Sequence, residues 1–163
     1  MSDPALYDYV RKLMSERRVV ARIGDLHGEK TLLGIAAAAR SANIVLKTLY
    51  LSNVEQWFRY SPQFRRNLEA MPRDAGTQVL RTLARGELSF PEQDRWHFSV
   101  EPLDDFIARM QAPVKPLTSV HGLMPFMASG TLKGQPGISW IGPVQKGQDS
   151  PRPTQPMPPL RQQ

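Results

Sequence analysis

Ile44 to Leu51, IVLKTLYL, is nearly continuously apolar, with only Lys47 and Thr48 interrupting. A run this short and this rich in branched and aliphatic side chains suits a β-strand covered on both faces, which is the habit of strands inside α/β sheets. Upstream, Val19 to Ile23 is a second short β-branched run, with Arg22 inside it and Gly24-Asp25 ending it; it reads as another strand. Between them, from Glu29 to about Ser41, Leu32, Ile35, Ala36 and Ala39 make a helix stripe whose alanines allow close approach to a sheet, and Asn43 can close that helix in the left-handed conformation. Strand, helix, strand with a crossover of about twenty residues is a βαβ unit, whose strands should be parallel and whose connection should be right-handed.

Other local signals extend this order. Asp3-Pro4 reads as an N-cap and first helical residue, and Leu6, Val10, Leu13 and Met14 keep one-face spacing through about Arg17. Ser52-Asn53-Val54-Glu55 has the capping-box pattern, so a helix is expected from Asn53, carrying Val54, Trp57 and Phe58 inward. Ser61-Pro62 restarts a helix through Phe64, Leu68 and Met71, which Pro72 terminates. Thr77 to Leu83 reads as a strand. Trp96 to Val100 alternates, with Trp96, Phe98 and Val100 on one side and His97 and Ser99 on the other. Pro102 opens a helix whose Leu103, Phe106, Ile107 and Met110 share a face. The last two strands lack a long helix between them and are expected to pair antiparallel.

Composition changes at about residue 112. Ten of 15 prolines and six of 11 glycines lie beyond it, so residues 112–163 are expected to be a largely disordered Pro/Gly-rich tail, and residues 1–111 a small α/β domain. The net charge of +6 is concentrated there too: residues 112–163 hold five Lys/Arg against one Asp/Glu, whereas residues 1–111 hold 16 against 14. The dibasic steps Arg17-Arg18 and Arg65-Arg66 stand in no recognised nucleic-acid module, so the basic groups read as a solvated face rather than a nucleic-acid site. There is no cysteine, which removes disulfides and thiolate chemistry and suits a reducing, cytoplasmic setting. No secretion signal or membrane-spanning run is visible.

Gly24-Asp25-Leu26-His27-Gly28 after a strand is similar to the first metal-binding motif of the calcineurin-like metallophosphoesterases. A two-metal centre needs several additional ligands, yet the chain has three histidines in all and lacks the later Gly-Asn-His pattern. No metal is therefore expected, and the motif reads as a tight turn in which Asp25 accepts backbone amides and the glycines supply freedom. The candidate ligand-binding residues are Asp25 and His27, after the first strand, and Ser52, Asn53 and Glu55, after the second, because open α/β sheets bind ligands beyond the carboxyl ends of their parallel strands. Tyr50, Trp57, Phe58 and Tyr60 nearby read as core aromatics before they read as a ligand wall. Catalytic residues are unknown.

The segments GDLHGEKTL, LYLSNVEQWF, YSPQFRRNLEAMPRD, VLRTL and WHFSV together resemble the C-terminal half of an uncharacterised family of bacterial hypothetical proteins, over roughly residues 5–110. Longer members of that family look like distant relatives of S-adenosylmethionine-dependent methyltransferases. The resemblance implies a partial Rossmann-like sheet of about four strands, two parallel and then an antiparallel pair, with flanking helices. The glycine-rich cofactor loop of such a domain has no counterpart here, since no Gly-x-Gly-x-x-Gly occurs, and no cofactor is expected for the isolated chain. The expectation is a domain acting through binding or association, as a homodimer or with a second chain pairing at the Val19–Ile23 edge strand. The alternatives are a methyltransferase-like enzyme completed in trans and a metal-dependent phosphoesterase using the Gly24–Gly28 loop.

Overall fold

The computed structural model describes residues 3–84, Leu88 and residues 94–142. Helices α1 (Pro4–Ser15) and α2 (Thr31–Ser41) precede strand β1 (Thr48–Ser52), a 3-10 turn at Val54–Trp57, helix α3 (Pro62–Glu69), and strands β2 (Gln78–Leu83) and β3 (His97–Pro102). Helix α4 (Leu103–Gln111), a 3-10 turn at Val120–Leu123, helix α5 (Met124–Ser129), and strands β4 (Thr131–Leu132) and β5 (Gln135–Trp140) complete the order. The fold is mixed α/β, as expected, built on one five-stranded sheet in the order β1-β2-β3-β5-β4. β1 and β2 are parallel, β3 runs antiparallel to β2, β5 lies parallel to β3, and β4 closes the far edge antiparallel to β5.

Several local signals act as their chemistry requires. The Asp3 carboxylate accepts from the amides of Ala5 and Leu6 at the start of α1, and the Ser61 hydroxyl accepts from the Phe64 amide at the start of α3. Asn43 has φ 53°, which lets the Ile44 amide donate back to the Ala39 carbonyl at 2.8 Å and close α2. That closure has a cost in strand length. Ile44 is committed to the helix end and the Leu46 amide donates to the Pro72 carbonyl, so β1 starts only at Thr48.

Two expectations about the sheet are corrected. Val19–Ile23 is not a strand: it is exposed coil, and the parallel partner of β1 is β2, reached across α3. A β-branched run becomes a strand only when a ladder accepts its backbone, and here none does. Nor are residues 112–142 a tail. Met127, Leu123, Val120 and Ile141 are buried in the main core, and β5 continues the sheet beside β3. Proline and glycine are compatible with packing there because Gly130 lies where a Cβ would fall 2.3 Å from the Trp140 carbonyl oxygen, so the tight α5-to-β4 turn demands glycine. The remainder of the expected tail, residues 143–163, lies outside the described residues.

The core sits on one side of the sheet. Phe64 and Leu68 of α3 and Leu103, Phe106, Ile107 and Met110 of α4 meet Leu51, Val79 and Leu83 from the strands. α2 adds Leu32, Ala36 and Ala39, while α1 buries no residue at all.

Candidate functional site

Strand register determines which side chains share a face, because neighbours across a ladder point the same way and successive residues point oppositely. Under the helices runs a polar row: Arg81 pairs with Ser99, Ser99 with Ser139, and Ser139 with Thr131. Two residues along β3 on either side of Ser99, His97 and Glu101 are also fully buried. One step away, on the opposite face, Tyr50 pairs with Leu80, Leu80 with Val100, and Val100 with Trp140, an apolar row across four strands. Phe98 and Ile138 pair beside it. The face beneath the helices is therefore mixed, its polar groups set among Leu51, Val79 and Leu83 of the core, while the outward face carries a row of large apolar side chains.

The charged members of this layer are paired with one another, while Ser99 Oγ and Arg81 Nη2 make no hydrogen bond among the described residues. Arg81 Nε donates to Glu55 Oε2 at 2.7 Å and Nη1 to Glu101 Oε1 at 2.6 Å, with all three side chains inaccessible. The Tyr60 hydroxyl donates to Glu55 Oε1 at 2.7 Å. Arg109 Nε lies 3.4 Å from Glu101 Oε2, and its Nη2 donates to the Gly142 carbonyl at 2.7 Å. Arg81 also lies 4.6 Å from the centre of the Phe106 ring and Arg109 4.5 Å from that of Phe126, so each guanidinium is stacked as well as paired. Burial alone would lower the Arg81 pKa, but Glu55 and Glu101 outweigh it and the net shift is upward. Burial, and next the charge of Glu55, raise the Tyr60 phenol. The Glu101 carboxyl is raised by burial, which Arg81 and Arg109 only partly offset.

The five candidate ligand residues fare differently. Asp25 Oδ1 accepts from the His27 amide at 2.8 Å, and the Asp25 amide donates to the Thr31 hydroxyl at 3.1 Å, so the motif forms the turn its glycines suggested. The glycines do not serve it by freedom of φ, since neither Gly24 nor Gly28 has a positive φ; at Gly24 a Cβ would instead fall 2.2 Å from a Thr31 carbon. His27 Nδ1 shares a 2.9 Å hydrogen bond with the Ser61 hydroxyl, and its ring lies edge-on to Phe58 at 4.4 Å and stacked on Phe64 at 5.5 Å. Asn67 Nδ2 fastens the same loop by donating to the carbonyls of Leu26 and Gly28, both at 2.9 Å. Among the described residues no three His, Asp or Glu side chains form a metal-holding group. Ser52 has φ 50° and Asn53 makes no side-chain cap bond, so Glu55 is not the reaching half of a capping box. It turns inward to Arg81. Of the four nearby aromatics, Tyr60 is core, Phe58 is half-buried, and Tyr50 and Trp57 are exposed. Phe64 stacks between His27 and Tyr60, at 5.5 Å from each, so Asp25's loop and Glu55 meet through an aromatic cluster.

Sequence reasoning passed over Arg81, Glu101, Arg109 and Asn67. A signal for Arg81 was present: Val79, Arg81 and Leu83 share one period-two face, and the two apolar members predict burial for the third.

What remains accessible is the outward sheet face. Tyr50 is 55 % exposed and Trp140 40 %, while Leu80, Phe98, Val100 and Ile138 are half-buried. A cleft of about 320 Å³ lined by Asp94, Phe98, Gln135, Pro136, Gly137 and Ile138 continues it at the β3–β5 end. No charged residue stands in the two apolar rows.

The fold and these surfaces define a mixed α/β domain with a buried ionic layer on one side of its sheet and an open apolar surface on the other. The chain belongs to the family described as a domain of unknown function (DUF7790), whose match covers residues 1–140 and so includes both α1 and β5. No curated protein matches the chain.

Proposed function

We propose that this protein acts by association, and that the outward face of its sheet is the surface through which it binds another polypeptide. The observation that carries this reading is the apolar outer face of the sheet. On the face away from the helices, Tyr50 and Trp140 are exposed and Leu80, Val100, Phe98 and Ile138 are half-buried beside them in adjoining rows. Contiguous outward apolar surface is a mark of an interaction site, and its aromatic members are the type enriched at interface centres. The setting carried with this proposal is a bacterial cytoplasm. Sedimentation velocity tests it. The full chain should sediment as an assembly that Val100→Glu dissociates while leaving the far-ultraviolet circular dichroism unchanged; a wild-type monomer at all concentrations overturns self-association through this face.

A second reading is favoured by one observation: β1 is the first strand of the sheet and its outer edge carries no ladder partner among the described residues. The methyltransferase-like resemblance puts the edge left by a missing half at Val19–Ile23; with that segment in coil, β1 takes its place, and a second chain supplied in trans would complete a cofactor-binding enzyme there. Binding of S-adenosylhomocysteine only after that chain is added supports this reading, and no binding in the completed assembly removes it.

A further inference from the structure

Helix α1 carries an apolar stripe of Leu6, Val10, Leu13 and Met14, yet none of its residues is buried. It ends in a built turn: the Arg18 amide donates to the Leu13 carbonyl at 2.9 Å, with Arg17 at φ 55°. The chain then runs through Val19, Val20 and Ile23, with Ile23 as open as a residue can be at 107 %. Residues 4–23 are thus a capped, amphipathic helix on an extended arm that its own body does not hold. The same chain presents an uncharged apolar sheet face with nothing over it among the described residues.

Resting on the association reading above, we infer that the occupant of that face is the α1 arm of a second copy of this chain, exchanged reciprocally in a two-fold dimer. Dimensions agree: a 12-residue helix is about 18 Å long, and six-residue strands such as β2, β3 and β5 are about 20 Å long. Charge agrees as well. The arm, residues 4–23, holds Arg11, Lys12, Arg17, Arg18 and Arg22 against Asp8 and Glu16, and among the described residues Asp94 is the one charged residue lining the cleft at the end of the face. Exchange satisfies both exposed surfaces with one contact repeated twice, which is how an isologous dimer closes. The match of the family over residues 1–140 includes the arm as part of the domain.

A complementation experiment on full chains tests this. Leu6→Glu with Leu13→Glu disables the arm at exposed or half-exposed positions, and Val100→Glu disables the face; mass photometry and sedimentation equilibrium read the species formed. Each variant alone should be monomeric. An equimolar mixture should form a heterodimer, because the intact arm of one copy meets the intact face of the other, with affinity lower than that of the wild-type dimer. An arm variant that stays dimeric while the face variant is monomeric overturns arm exchange but keeps the face as the interface. A mixture that stays monomeric also overturns exchange, as does a wild-type monomer, which overturns the association reading with it.

Discussion

Arg81 decides more of this molecule than any other single residue. Its side chain is wholly enclosed, joins Glu55 from the loop after β1 to Glu101 on β3, and lies over Phe106 of α4. Arg81→Met would leave the buried Glu55 carboxylate without a cation and Glu101 with Arg109 alone, and removing one member of a buried ionic group typically costs about 3–5 kcal/mol; a matching fall in the stability extrapolated from urea unfolding is expected. Glu101 has its own pH signature. Its folded-state carboxyl is raised above the ordinary 4.5, so its stabilising contribution is fully present below that value and is lost as pH rises through the folded-state value. Glu101→Gln should remove that component, so the ratio of variant to wild-type stability should climb with pH across this window in parallel urea titrations. An unchanged ratio would mean that Glu101 titrates as an ordinary carboxylate.

At the scale of elements, legibility followed the range of the physics. Caps are local: Asp3, Ser61 and Asn43 each act through amides within a few residues, and each could be read in advance. The α4 face of Leu103, Phe106, Ile107 and Met110 was legible for the same reason, since helical periodicity is written along the chain. Ladder partners are not local. Nothing in VVARI says that no strand will lie beside it, and nothing in ISW says that one will, although the first is exposed coil and the second is part of β5 pairing with β3. The candidate site divides along the same line. The Asp25 turn could be anticipated, whereas the Glu55–Arg81–Glu101 group brings together residues 26 and 20 positions apart. Ser61 links both kinds of contact, capping α3 and bonding His27 from the preceding loop. Ser61→Ala should therefore cost more than the ~1 kcal/mol of a lost N-cap alone, with Ser61→Asp recovering the cap but not the packing around His27; thermal unfolding of the three proteins measures the difference.

For the whole molecule, the two faces of the sheet impose opposite demands. The covered face needs the helices to shield and satisfy its charges, and α4 and α5 supply Arg109 and the Met127 carbonyl for that purpose. The outer face has no cover among the described residues. Hydroxyl-radical footprinting of the full chain as a function of protein concentration tests association through that face most directly. Tyr50 and Trp140 should become protected as concentration rises, while Trp57, 81 % exposed and outside the sheet, stays reactive throughout and calibrates the radical dose. Tyr50 and Trp140 remaining unprotected at every concentration, alongside Trp57, would contradict the assignment of this face as the interface.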